Sequence, residues 1–220
     1  MLLEICTPTL KSVEAAVAGG ADRIELCENL GVGGITPSLE LIKAVKDNFD
    51  INVQVLIRPR AGDFEFNKAE IQQIVDQIEA VKTMKVTGVV VGALNADLSI
   101  NEAACKQFKT AADHLEISFH KAIDEASNKE EAIAQLIDLG FDRILTSGGK
   151  PTALEGLNVL TCWRSKFGDR IQIMPGGSIR PENVNAFTTG GFPAIHSAAI
   201  KSGGKHSDAA LVLKMASALA

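Results

Sequence analysis

Eight short apolar runs recur along the chain: LLEIC (2–6), RIELC (23–27), VQVLI (53–57), GVVVG (88–92), EISFH (116–120), RILTS (143–147), IQIMP (171–175) and AIHSA (194–198). Successive runs begin 21 to 35 residues apart. That spacing accommodates a strand, two short loops and a helix. The intervening stretches have a helical period instead. In SLELIKAVKDN (38–48), Leu39, Ile42 and Val45 share a face, and in AEIQQIVDQIEAVK (69–82) Ile71, Ile74, Val75, Ile78 and Val81 form one stripe. Helix starts are predicted at Thr36-Pro37, and at Asn67, Asn128 and Thr152, each with a glutamate three residues on. SDAALVLKMASALA at the end of the chain reads as an eighth helix. Strands alternating with helices imply a parallel sheet. Eight units in 220 residues, without a long linker, predict one domain over 1–220, a closed (β/α)8 TIM barrel. The rival is a doubly wound open sheet, but the first strand–helix turn, CTPTLKS, carries no Gly-rich dinucleotide loop.

A tripeptide punctuates this pattern. Asp-Arg-Ile occurs as Asp22-Arg23-Ile24, Asp142-Arg143-Ile144 and Asp169-Arg170-Ile171, preceded by Gly19-Gly20, Gly140 and Gly168. Each copy reads as a glycine closing a helix, a tight loop and a buried strand whose far end turns polar.

Composition narrows the function. The net charge is −5, with lysines and arginines dispersed, no Tyr and a single Trp, Trp163. There is no basic stripe for a phosphate backbone and no platform for stacking bases, so nucleic acid is not an expected partner. No apolar run reaches the ~18 residues of a membrane span. MLLEICTPT lacks a charged leader and enters a strand pattern at once, so no signal peptide is expected. Cys6, Cys27, Cys105 and Cys162 lie far apart with no C-x-x-C, which predicts reduced thiols in a cytoplasmic protein.

In a barrel of this class, chemistry gathers where strands end. Side chains two apart share a face. If Leu3/Ile5, Ile24/Leu26, Val55/Ile57 and Ile117/Phe119 face the helices, then Glu4, Glu25, Arg58 and His120 converge in the upper lumen. Such a set has two readings. It could be a structural ion-pair layer, Arg58 with Glu25 or Glu4, since buried charges need partners. Or it could be a functional site, with Arg58 holding an anion bidentately and Glu25 and His120, near Asp124, acting as acid and base. Lys121, adjacent to an inward His120, is expected to point outward by parity.

The loops after the sixth and seventh strands, Ser147-Gly148-Gly149 and Gly176-Gly177-Ser178, leave backbone N–H groups uncovered. The second is expected to lead into a helix starting near Pro181. Such loops cradle anions, or simply permit tight turns. Arg60, at the end of the third strand, is a further anion-binding candidate. Cys105 and Cys162 fall in helical segments and read as small buried hydrophobes. Cys6 and Cys27 end adjacent strands at the rim, where two thiolates could hold a soft ion such as Cu(I).

The runs GGADRIELCENLGVGGITPS, VLIRPRAGDF, SFHKAID, DRILTSGG and IMPGGSIRPENV, with AIHSAA near the end, resemble the CutC family of copper homeostasis proteins across nearly the whole chain. The resemblance implies a cytoplasmic TIM barrel, a homodimer or small homo-oligomer, and a role in copper handling with Cu(I) bound through cysteines. Cys6 and Cys27 match the family's strand-end cysteines, and Glu25, Arg58, Arg60, His120 and Asp124 match its polar motif positions. Lys121 stands where the family commonly has Arg, and Ser197 where a Gly is usual. Two function classes therefore stand side by side. One is a Cu(I)-binding homeostasis protein. The other is an enzyme acting on a small anionic or phosphorylated metabolite by proton-transfer or aldol-type chemistry.

Overall fold

The computed structural model describes residues 1–220. Strands β1 (Leu2–Thr7), β2 (Arg23–Leu26), β3 (Asn52–Leu56), β4 (Gly88–Val91), β5 (Glu116–Phe119), β6 (Arg143–Thr146), β7 (Gln172–Pro175) and β8 (Ala194–Ser197) alternate with helices α1 (Leu10–Ala18), α2 (Leu39–Asn48), α3 (Lys68–Lys82), α4 (Glu102–Ala112), α5 (Lys129–Asp138), α6 (Leu157–Phe167), α7 (Asn185–Thr188) and α8 (Ala209–Leu219). All strands are parallel, in the order β7-β6-β5-β4-β3-β2-β1-β8. A parallel bridge between Gly176 and His196 brings β7 to β8, so the sheet curls into an eight-stranded TIM barrel.

Alternation along the strands sorts the side chains into two environments. Leu3, Ile5, Ile24, Leu26, Val53, Val55, Ile117, Phe119 and Ile144 are buried among the apolar faces of the helices in one continuous core. Each such side chain contributes about 1.5–3 kcal/mol on burial. The lumen holds only two small apolar groups, Cys6/Cys27/Leu56/Val90 and Leu145/Met174/Ala194. Apolar atoms do not fill it, and polar side chains complete the packing.

The helix starts show which local signals survive folding. Asn67 and Glu70 form the full capping box of α3, and Asn128 accepts from Glu131 N–H at α5. Two starts move. Ser38, not Thr36, caps α2, because its hydroxyl accepts from Leu41 N–H. Thr152 and Glu155 pair with each other in a turn ahead of α6, which begins at Leu157.

The first two Asp-Arg-Ile copies are structurally alike. Gly20 (φ +84°) and Gly140 (φ +75°) end α1 and α5 in the left-handed region that glycine enters freely. Asp22 then accepts from Leu3 N–H at 2.7 Å and Asp142 from Ile117 N–H at 2.8 Å, tying each loop to the neighbouring strand. Arg23 and Arg143 follow as first strand residues and enter the lumen. The third copy differs. Gly168 has φ −66°, Arg170 lies over the Phe167 ring at 5.9 Å, and the strand starts two residues later than in the other copies, at Gln172, which pairs with Arg143.

Candidate functional site

The floor of the lumen is a polar layer closed on itself. Arg143 donates to Gln172 Oε1, to Ser118 Oγ at 2.8 Å and to Glu116 Oε2 at 3.1 Å. Gln54 donates to the same carboxylate at 2.8 Å. One step higher, Arg23 pairs with Glu4, which is 1% exposed and also holds His196 Nδ1 at 2.8 Å. Burial pushes the Glu4 carboxyl up. The His196 hydrogen bond and charge, with Arg23 and Arg143, outweigh it and bring the group down to about 2.

Above this layer the strands open into a cavity of about 450 Å³, lined among others by Cys6, Glu25, Leu56, Arg58, His120 and His196. It is at the C-terminal mouth, where the fold places active sites. A larger groove of about 830 Å³, lined in part by Pro8, Thr9 and Leu41, lies outside the rim and carries no buried charged group. Three side chains at the cavity keep buried polar atoms without a partner: Glu25 Oε2, Arg58 Nε and His120 Nε2. Burial raises Glu25 to about 7, with the charges of His196 and Glu4 acting in opposite directions. Burial, with the charge of Arg58, drops His120 to about 3, so its ring is neutral. Ala122 N–H donates to His120 Nδ1 at 3.3 Å, which assigns the ring proton to Nε2. Gly92 makes room for the ring, since a Cβ there would stand 2.4 Å from His120 Cε1.

The structure brings Glu25, Arg58 and His120 to one cavity and puts Glu4 beneath it, but the expected pairing of Arg58 with Glu25 or Glu4 is absent. Arg58 donates to the carbonyls of Val32 and Gly34, both at 3.1 Å, and of Gly62 at 2.6 Å, and it packs on the Phe64 ring at 4.8 Å. The cations of the ion-pair layer are Arg23 and Arg143. Arg60 lies outside the cavity, bonded to Glu70 at 2.5 Å and Asp63 at 2.9 Å.

Asp124 also has a different place. It sits in a 3-10 turn, Lys121–Asp124, that follows β5, and its carboxylate is held by donors from the next loop. These are Thr146 Oγ1 at 2.5 Å, Ser147 N–H at 2.9 Å and Gly149 N–H at 2.8 Å. The Ser147-Gly148-Gly149 loop does cradle an anion, and the anion is the protein's own. The same turn corrects the position of Lys121. Strand parity ends at Phe119, so the Lys121 side chain swings to the mouth, lines the cavity and bonds Ser147 Oγ at 3.1 Å. Gly177 and Ser178 line the cavity too, while Gly176 packs against Leu145 and His196. The helix expected from Pro181 is the single turn α7, starting at Asn185, so no helix N-terminus backs that loop.

Cys6 and Cys27 meet beside Glu25. Their Sγ atoms are 3.4 Å apart and Cys6 Sγ is 3.9 Å from Glu25 Oε1. Cys6, Glu25 and His196 each offer a ligand atom within 4.8 Å of the others, a group that could hold an ion. The hydrogen bond to Cys27, then burial and the charges of Glu25 and Glu4, raise the Cys6 thiol well above its ordinary range. An ion binding there must displace its proton. Cys105 is buried as expected, whereas Cys162 is exposed on α6. His196 is inconspicuous in the sequence, one histidine inside a strand-length run. Its signal lay in register, because AIHS turns Ala194 and His196 inward and sets His196 beside Glu4.

The model of the CutC family matches residues 1–201. A family protein CutC from Agrobacterium fabrum is 44% identical over 186 residues, covering 84% of this chain and 74% of its own length. The copper homeostasis protein cutC homolog of Homo sapiens is 39% identical over 189 residues, covering 86% and 69%. The crystal structure of CutC from Streptococcus agalactiae superimposes with a TM-score of 0.85 at 31% identity, over 90% of this chain and 98% of that one. KGPDC from Streptococcus mutans shares the fold alone, at a TM-score of 0.69 and 12% identity over 99% of this chain and 96% of that one.

Proposed function

The chain belongs to the CutC family, and from that premise we propose that it serves copper homeostasis, taking Cu(I) as cargo at the barrel mouth through Cys6 and Cys27. The observation that carries this reading is the 3.4 Å separation of the two sulfurs. Cu(I) accepts few, soft ligands, and a thiol pair suits it. His196 is the natural third donor. Its Nδ1 is engaged with Glu4, the carboxylate–histidine arrangement that orients metal-bound imidazoles, and Nε2 is the nitrogen left for an ion. The relative from Homo sapiens carries copper homeostasis in its name. Four free cysteines fit a reducing cytoplasm, and the resemblance carries a homodimer or small homo-oligomer, which sedimentation would test.

The test is anaerobic titration against a chromophoric Cu(I) chelator. Cys27→Ser should weaken binding about tenfold or more, and Cys105→Ser should leave it unchanged. Equal losses in both variants would show that copper binds adventitiously.

A second reading is favoured by a separate observation, the unpartnered buried atoms Glu25 Oε2 and His120 Nε2 beside a cavity of ligand size. In it the protein is an enzyme on a small anionic metabolite, phosphorylated or not. Arg58 holds the anion, and Glu25, raised to about 7, exchanges a proton with carbon or oxygen in proton-transfer or aldol-type chemistry, with neutral His120 donating a hydrogen bond. Asp124 acts by holding the turn that carries Lys121, and Gly177 and Ser178 line the ligand's entry. A thermal-shift screen of a metabolite library against the metal-free protein tests this. A library without a single protective compound would leave copper as the sole reading.

A further inference from the structure

Resting on that second reading, we infer that the cavity takes a short, unphosphorylated carboxylate bearing a hydroxyl or carbonyl oxygen, with its carboxylate on Arg58 and its second oxygen on His120 Nε2–H.

Three arginines in the lumen are each 5% exposed: Arg23, Arg58 and Arg143. Arg23 has the Glu4 carboxylate and Arg143 has that of Glu116. Arg58 has no carboxylate. Three backbone carbonyls orient its Nη1 and Nη2 groups, and Nε is left over. Glu125 and Asp63 act on Arg58 only from beyond ion-pair distance, and a planar anion taken bidentately is what a guanidinium without a direct partner suits. Phe64 packs against both donors. Arg58 Cζ lies 4.8 Å from the centre of the Phe64 ring, and the His120 ring centre lies 4.7 Å from it. A small acid with a hydroxyl or carbonyl oxygen beside its carboxylate offers one group to each donor. Leu56, Leu145 and Phe64 add apolar lining to the cavity, and Glu25 is an acceptor in the same lining.

The loops at the mouth argue against phosphate. A barrel commonly binds phosphate through glycine loops and a helix N-terminus after its last strands. Here the loop after β6 is filled by Asp124, and the loop after β7 leads to a single helical turn. The arginine and lysine side chains that line the cavity are Arg58 and Lys121, the latter half-exposed at the mouth and engaged by Ser147 and by Asp124 at 3.5 Å.

The experiment uses the full chain stripped of metal. One arm contains pyruvate, D- and L-lactate and malate; the other contains inorganic phosphate and glycerol 3-phosphate. Binding is read by melting temperature and by the ¹⁵N-labelled histidine spectrum, in which His114 and His206 serve as internal controls. A carboxylate should raise the melting temperature and shift the His120 Nε2–H signal alone. Arg58→Met should weaken that binding about 10- to 100-fold, and Arg58→Lys should weaken it less, because Lys keeps the charge and loses the fork. The histidine signal reads the unaltered protein, so the outcome stands even if Arg58→Met folds poorly. Protection by the phosphate arm alone would overturn the carboxylate assignment and leave the enzyme reading intact. So would silence in both arms while another library compound protects. Silence across the library would overturn both.

Discussion

Two polar layers share one lumen and are built from the same residue types, yet they differ in one respect. In the lower layer Arg23, Arg143, Glu4, Glu116, Gln172 and Ser118 find partners within the layer, and Gln54 Oε1 is its one unpartnered buried atom. In the upper layer Glu25, Arg58 and His120 each keep a buried polar atom unpartnered. A closed network specifies a rigid floor, whereas an open one stores binding capacity that a ligand or ion can use. The contrast separates charge satisfied within the fold from charge left without a partner, and it can be broken at defined points.

The largest effect is expected where the closed layer is cut. Arg23→Met removes the cation from Glu4, which is 1% exposed and cannot reach water. Loss of one partner from a buried pair typically destabilises by about 3–5 kcal/mol. Denaturant unfolding should show that loss. A change below about 1 kcal/mol would mean that His196 alone satisfies Glu4.

The open layer should show itself in pH dependence, through two opposing slopes. Glu25 is raised from 4.5 to about 7, so the folded state holds its proton longer. The stability it contributes is present below pH 4.5 and is lost as pH rises toward 7. His120 is lowered from 6.5 to about 3, so the folded state binds its proton less readily. That contribution is present above pH 6.5 and is lost as pH falls toward 3. Between pH 4.5 and 6.5 the two cancel. Glu4 titrates below this window and the raised His196 acts above it. Glu25→Gln should therefore make stability rise with pH across the window, and His120→Asn should make it fall, each by up to about 1.4 kcal/mol per pH unit. Parallel profiles in both variants would remove the basis for treating the two groups as oppositely perturbed.

The same contrast explains what could be read from the sequence. The strands and most helices follow from alternation and from a 3.6-residue period, because burial against the helices selects Leu3/Ile5 or Ile24/Leu26 as pairs. Parity also brings Glu25, Arg58 and His120 to the lumen. Which charges meet depends on how far each strand is staggered against the next, and no local pattern encodes that. Glu4 lies beside Arg23 and His196 by register, not beside Arg58. Arg23 and Arg143 were visible in the repeated tripeptide, but as markers of loops rather than as lumen cations. Lys121 escaped because parity stops where a 3-10 turn begins. The helix expected at Pro181 shrank to one turn that Gly190-Gly191 closes off soon after.

Asp124 and its loop provide the smallest and most selective test. A glycine-rich loop at a barrel mouth invites an external anion, and here a side chain from the preceding strand–helix connection supplies it. Asp124→Asn keeps the shape and one acceptor but removes the charge and puts an NH₂ where one oxygen stood, so the bond from Ser147 N–H to Oδ2 or that from Gly149 N–H to Oδ1 is lost and the other meets a neutral acceptor. The loss should be about 1–3 kcal/mol, less than for Arg23→Met because the loop borders solvent. Amide hydrogen exchange should accelerate at Ser147 and Gly149 and remain unchanged at Leu145, which lies within β6. Inorganic phosphate that restored protection at Ser147 and Gly149 in Asp124→Asn would show that the loop kept its anion-binding geometry and that Asp124 occupies it in the unaltered protein. Uniformly faster exchange across β6 would instead place Asp124 among the groups that hold the barrel itself together.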